Sequence, residues 1–369
     1  MGRADSVVCS CKDCARRGHL KLIGITLADL RYRSRQFLIA VVAAGVVLAM
    51  AVLLAGLAEG FRSELKDTVG AVGADRWVLS AQSYGRISAV ATFDQSAVAE
   101  LASTPGVTRA DGIVLLPQEV LRVGGKLVTV NVMGVDRSGL GLPHPPNGHT
   151  LTDDGQIVVD SRSNIKVGST ISLGSVPLRV VGRVTGRTFS GGVPMVYVTL
   201  HDAQAALLGG SQVVTAVVTS GVPKTVPAGL ITLTNHQVVD KTLATMSGAL
   251  GTITTSRTIM WFVAAIIIIA LVYVSALQRV RDFAVLKALG SSSASLFGSL
   301  CLQALLVALL AAGLGALLTQ FMTGIFTQPV TVPVSAYAAL PIVAVVVGIV
   351  ASLVALRRAI GADPAAAFG

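Results

Sequence analysis

The residue types that ordinarily carry chemistry are present in this sequence, but not at the spacings that chemistry requires. No G-x-x-x-x-G-K-[ST] run is available to cradle a nucleotide phosphate, so the chain is not expected to bind and hydrolyse ATP by itself. An H-E-x-x-H zinc helix and a G-x-S-x-G nucleophile elbow are also lacking, and His19, His144, His149, His201 and His236 show no ligand spacing. His144 and His149 flank Pro145-Pro146-Asn147-Gly148, a turn pattern, and Asp153-Asp154 before Gly155 reads as a solvated turn more readily than as paired carboxylates. Cys9, Cys11 and Cys14, with His19 nearby, could ligate zinc but lack paired C-x-x-C spacing. A basic tail in a reducing compartment explains them more simply, and their role stays open. Cys301 reads as a small packing residue in an apolar stretch. We therefore expect no catalytic residue, no metal site and no cofactor bound by this chain.

The elements that could position any function are set first by hydropathy. Hydrophobic residues make up 53% of the 369 positions and charged ones 13%, with a mean hydropathy of +0.73, well outside the range of ordinary soluble domains. The apolar residues concentrate in Phe37 to Ala58, Thr258 to Leu277 and Ala288 to Leu356, none of which contains Asp, Glu, Lys or Arg. A spanning helix needs about 20 apolar residues, so the last stretch holds two spans and a turn. The expected spans are residues 37–58, 258–277, 295–320 and 337–356. Pro329 and Pro333 fit the short loop between the last two. No Asp, Glu, Lys, Arg or His lies inside a span, which counts against an ion-coupled transporter or channel.

Basic residues mark the inner flanks of spanning helices. Arg3, Lys12, Arg16, Arg17, Lys21, Arg31, Arg33 and Arg35 precede the first span, Arg279, Arg281 and Lys287 follow the second, and Arg357 and Arg358 follow the last. Most of the formal net charge of +10 is thereby cytoplasmic, with both termini inside. Residues 59–257 are nearly neutral and face outward. The basic balance is thus a matter of topology, and nucleic acid is not an expected partner. The apolar run of the first span is too long for a usual signal peptide and reads as an uncleaved anchor.

Residues 1–19 read as a cytoplasmic tail and 20–36 as an amphipathic helix on the inner membrane surface, with Lys21 and Asp29 off its apolar stripe. Residues 59–257 form an extracytoplasmic α+β domain inserted between the first and second spans. Helical stalks are expected at both its ends, from Glu59 to Val69 and from about Val238 to Ser256. Two strand-like runs around Gly124-Gly125 predict a hairpin, and further strands are expected at Gln156 to Val159, Thr170 to Leu173, Leu178 to Val184 and Met195 to Thr199. Asp94 and His201-Asp202 are expected to open short helices. No cysteine lies in the domain, so it must be stable without disulfides. We expect two subdomains, with no boundary legible between them.

After the second span, residues 278–292 form an amphipathic segment. Phe283, Leu286 and Leu289 lie on one side of a helix, with Arg279, Arg281, Asp282 and Lys287 elsewhere and Gly290 suited to its C-terminus. From the residues alone it is a cytoplasmic helix held against the membrane, or simply a connector. The segment resembles the signature of MacB/FtsX-type ABC transporter permeases, E-R-x-R-E-I-G-x-L-[RK]-A-[LI]-G-[AS]-[ST]. It departs at Gln278, Asp282, Phe283 and Ala284. The tail at 357–369 is similar to the family ending R-R-A-x-x-x-[DN]-P-x-x-A-[LF], and Gly73-Ala-Asp75 and Pro105-Gly-Val107 resemble parts of its extracytoplasmic domain.

This resemblance implies a homodimeric permease docked on two copies of a cytoplasmic ABC ATPase, which would carry the ATP and magnesium. It also implies that the helix bearing Arg279, Arg281, Asp282, Phe283, Leu286, Lys287, Leu289 and Gly290 couples the ATPase to the membrane. ATP hydrolysis inside would then change the shape of the outer domain, in the bacterial cytoplasmic membrane and among its lipids. Export or extraction of a lipid, lipoprotein, peptide or drug is the expected use. An FtsX-like regulator of a cell-wall hydrolase, acting through an extracytoplasmic partner protein, is an alternative. Uptake of a small solute is a weaker one, since the spans offer almost no polar path.

Overall fold

The computed structural model describes residues 34–87, 91–278, 293–325 and 330–360. The first helix, α1 (Ser34–Ala71), is 38 residues long. The inserted domain follows, with β1 (Arg76–Ser80), β2 (Phe93–Asp94), α2 (Ser96–Ala102), β3 (Val107–Val123), β4 (Lys126–Val135), β5 (Asn147–Gly148) and β6 (Gln156–Asp160). It continues through β7 (Thr170–Leu173), β8 (Val176–Val184), β9 (Thr188–Phe189), β10 (Val193–Thr199), α3 (Leu200–Leu207), β11 (Val213–Val214), β12 (Ala216–Gly221), β13 (Leu230–Leu233) and α4 (Asn235–Thr245). Three long helices close the chain: α5 (Ser247–Leu277), α6 (Ser293–Thr323) and α7 (Val334–Ile360). Among the described residues, four helices are long and apolar enough to cross a membrane, and the α+β domain lies between the first and second of them.

The chain divides into two units. The helical one comprises α1 up to Gly56, α5 from Ile253, α6 and α7, and its core is built from small and branched residues such as Ala44, Leu48, Ala264, Ile268, Ala304, Ala311 and Ala344. Where water supplies no hydrophobic drive between helices, small residues let backbones approach closely. A Cβ on Gly315 of α6 would lie 3.1 Å from the Gly45 carbonyl oxygen of α1, and one on Gly348 of α7 would lie 3.2 Å from Leu305 Cα of α6. Gln303 of α6 is buried and donates through Nε2 to Ser275 Oγ of α5 at 2.9 Å.

The β-rich unit runs from Leu57 to Thr252. Its main sheet has the order β13-β1-β12-β3-β4-β10-β6-β8-β5, with β7 added to β3 and β8 and β9 to β10; β11 and β2 pair separately. β4 with β10 and β6 with β8 are parallel, and the other pairs are antiparallel. Side chains alternate across a strand, and here the alternation sorts them into two cores. Trp77, Leu79, Ile113, Leu115, Met133, Val135, Met195 and Tyr197 face one core, together with Leu65, Val69 and Val72 of α1 and Val238 and Val239 of α4. Val78, Val114, Leu116, Val130, Val132, Val196 and Val198 face the other, against Leu101 of α2 and Leu200 and Ala203 of α3. Burial on both faces explains why the central strands read as continuous apolar runs.

The expected hairpin at Gly124-Gly125 joins β3 to β4. The 17-residue β3 pairs with β12 through its first half and β4 through its second, so strand pairing runs through both parts of the domain. One expectation is corrected: His201-Asp202 does not open the helix after β10; Thr199 caps it, its hydroxyl accepting the Asp202 N–H at 3.1 Å.

Candidate functional site

The segment expected to meet an ATPase, with Arg279, Arg281, Asp282, Phe283, Leu286, Lys287, Leu289 and Gly290, lies outside the described residues, as do Cys9, Cys11 and Cys14 and the tail beyond Ile360. The geometry that the structure does give sits on the β-rich unit, in two places.

The first is the end of α1. Phe61, Glu64 and Thr68 share one face of the helix, three and four residues apart. The Gly191 N–H donates to Glu64 Oε2 at 2.9 Å and the Gly192 N–H to Glu64 Oε1 at 2.8 Å. One turn on, the Thr68 hydroxyl donates to the Thr188 carbonyl at 3.1 Å. Glu64 is only 6% exposed, so its carboxyl group has been taken out of water, which is costly unless its oxygens are satisfied. Gly191 and Gly192 have φ of +88° and +85°, the left-handed region that favours glycine, and successive N–H groups in such a turn can converge on one anion. The sequence carried only a faint signal of this: a helix-compatible run from Glu59 and a Gly-Gly pair 127 residues later.

The second is a carboxylate and imidazole cluster that sequence spacing did not reveal. Ligand atoms of Asp154, His201 and Asp202 lie within 4.8 Å of one another. Their oxygens already have work. The Thr199 hydroxyl donates to Asp154 Oδ1 at 2.8 Å, Arg137 donates to Asp154 Oδ2 at 2.5 Å, and the Gly155 N–H donates to Asp202 Oδ2 at 2.8 Å. Burial pushes the Asp154 carboxyl up, but the Thr199 and Arg137 hydrogen bonds outweigh it and hold the group below its ordinary value. The cluster ties the turn before β6 to the start of α3. As chemistry it is a hydrogen-bonded brace, in keeping with the turn expected at Asp153-Asp154.

Comparison with known proteins bears on the whole chain. The MacB-like periplasmic core domain matches residues 37–228, and the FtsX-like permease C-terminal region matches residues 256–364. The chain belongs to the MacB/FtsX family of ABC transporter permeases. An uncharacterized ABC transporter permease of Mycobacterium tuberculosis is 35% identical to this permease over 76% of its chain and 80% of the relative's. A second from the same species is 34% identical over the same shares. The periplasmic region of MacB from Actinobacillus actinomycetemcomitans overlays 49% of the permease and 97% of its own chain, with a TM-score of 0.35 at 14% identity. The permease is thus a multi-pass membrane protein of a family whose members are transporter subunits, and such a permease implies a partner ATPase.

Proposed function

We propose that this permease couples ATP hydrolysis by a separate cytoplasmic ABC ATPase to movement of its extracytoplasmic domain, in export or extraction of a lipid, lipoprotein, peptide or drug. The observation that carries the reading is α1. At 38 residues it is about 57 Å long by the standard rise, against roughly 30 Å of hydrocarbon core. In this reading the one helix serves as both span and stalk, and its last turns are hydrogen-bonded within the β-rich unit. A rigid rod of this kind suits the transmission of work done at one end to a domain at the other.

The charge bias of the flanks supports a cytoplasmic-membrane protein with both termini inside and the inserted domain outside. The family signature supports contact between the ATPase and the helix bearing Arg279, Arg281, Asp282, Phe283, Leu286, Lys287, Leu289 and Gly290. ATP and magnesium belong to the partner, and the working unit is a permease homodimer with two ATPase copies.

The test is co-purification with the ATPase and the ATPase activity of the complex for Phe283→Asp, Arg281→Glu and the outer-hairpin control Lys126→Glu. Phe283→Asp should abolish docking, because it puts a charge among the apolar residues of the signature segment. Arg281→Glu should weaken association mainly through lost charge complementarity. Both variants behaving like the control would overturn the coupling role of this helix.

A further inference from the structure

The hairpin between β9 and β10 is held from two sides. Asn131 of β4, fully buried, donates through Nδ2 to the carbonyls of Phe189 at 2.6 Å and Val193 at 3.0 Å, the residues that bracket the turn. From the other side Glu64 receives the amides of Gly191 and Gly192, one on each carboxylate oxygen, and Thr68 holds the Thr188 carbonyl. A Cβ at Gly191 would meet the Phe61 ring at 3.1 Å, so the turn lies directly against the helix face. Two hydrogen bonds from adjacent amides, one to each oxygen of a single carboxyl group, fix direction as well as distance. The hairpin therefore locks this face of α1 to the central strand β4.

The return connection is built differently. α4 ends at Thr245, Met246 is its C-cap with φ of −93° and ψ of 8°, and α5 starts at Ser247. Met246 thus separates two helices on the return side, whereas α1 is continuous from Ser34 to Ala71.

We propose that Glu64 is a positioning residue that latches the α1 rod to the β9–β10 hairpin, so that ATP-driven displacement of the first span moves the inserted domain as a body. This rests on the coupling function proposed above and names the contact through which it acts. Glu64→Ala leaves both glycine amides unsatisfied and releases the hairpin from the helix. Glu64→Gln keeps the shape and one carbonyl acceptor but loses one of the two bonds.

The full chain would be reconstituted in nanodiscs with its co-purified ATPase, with Cys9, Cys11, Cys14 and Cys301 replaced by serine and a donor dye on Lys166→Cys. Energy transfer to labelled lipid headgroups then reports the height of the inserted domain, and ATP hydrolysis and thermal unfolding are followed alongside. Expected is an ATP-dependent change in transfer for the parent, most of it lost in Glu64→Ala and part in Glu64→Gln, with hydrolysis little affected. A merely structural glutamate would lower the melting temperature and leave the ATP-driven change in place. That result, or unfolding of both variants, would overturn the latch while leaving the coupling function standing. A parent complex that hydrolyses ATP with no change in transfer would overturn the coupling function and the latch together.

Discussion

The indole N–H of Trp77 donates to Asn235 Oδ1 at 2.9 Å, and the Nδ2 of the same amide donates to the Ala74 carbonyl at 3.0 Å. These bonds join the place where the chain enters the β-rich unit to the place where it leaves, 158 residues apart. Trp77 is fully buried, so its N–H has no water to turn to once its partner is removed.

Asn235→Ala should therefore destabilise the β-rich unit by about 1–3 kcal/mol, the usual cost of a buried donor or acceptor left unpaired. Denaturant unfolding of the full chain, followed by Trp77 emission in a Trp261→Phe background, measures this. Asn235→Asp keeps an acceptor for the indole but turns an oxygen onto the Ala74 carbonyl, so its midpoint should also fall below the parent's. An unchanged midpoint for the alanine variant would count against the tie.

Asn131 is the buried polar residue on which three segments converge. Besides its bonds to Phe189 and Val193, its Oδ1 accepts the Gln118 N–H at 3.0 Å, at the bulge where Gln118 has φ of +59°. Asn131→Asp would aim a carboxylate oxygen at two carbonyls and should cost roughly 3–5 kcal/mol, as for other uncompensated buried charges. Thr129→Ala, on the exposed face of the same strand, should be nearly neutral. Melting of the two variants side by side checks the contrast.

Much of this fold is local and so was legible. The four apolar helices follow from uncharged stretches, and the Gly124-Gly125 hairpin and most strands follow from period-two patterns and turn residues. What escaped depended on distant partners. β3 runs through Pro117 because the bulge at Gln118 absorbs it and Asn131 satisfies the Gln118 amide, and neither is visible in a window of neighbouring residues. Strand order was not legible because it is set by pairings such as β1 with β12 and β4 with β10. Glu64 stands in the helix-compatible run from Glu59, and its two partners are amides far along the chain. Conversely, the family resemblance of residues 278–292 is read from neighbouring residues alone, with no distant partner needed.

The Asp154 carboxyl sits below its ordinary value through Thr199 and Arg137. A depressed acid contributes stability that is fully present above its unfolded pKa, about 3.9, and that is lost as pH falls through the lower folded value. Asp154→Asn should therefore cost little at neutral pH, about 0.2–1 kcal/mol, because Arg137 and Asp154 are 49% and 40% exposed and the pair is screened. The difference between variant and parent should shrink with added salt and vanish in strong acid. Unfolding midpoints across pH and salt test this, and a difference that grew in acid would show the sign to be wrong.

Packing between α1 and α6 gives the last prediction. A Cβ at Gly315 would meet the Gly45 oxygen and Leu48 Cβ at 3.1 Å each and Ala49 N at 3.4 Å, while one at Gly313, two residues away on another face of the same helix, would meet nothing within 4 Å. Of the three atoms at Gly315 two are backbone and the third is a Cβ, so none can swing aside as a flexible side-chain end would. The helices must separate. Separation forfeits dispersion contacts along the seam, which is what holds such helices together where water provides no drive. Gly315→Ala should cost about 1–3 kcal/mol, in line with other overpacked sites, and Gly315→Leu more, because its added atoms have no cavity to enter. Gly313→Ala should be neutral or slightly stabilising, since alanine is the better helix former. Thermal unfolding of the full chain in one detergent, with all three variants beside the parent, would decide the matter. If Gly315→Leu melted with Gly313→Ala, α1 and α6 would not be packed through this seam.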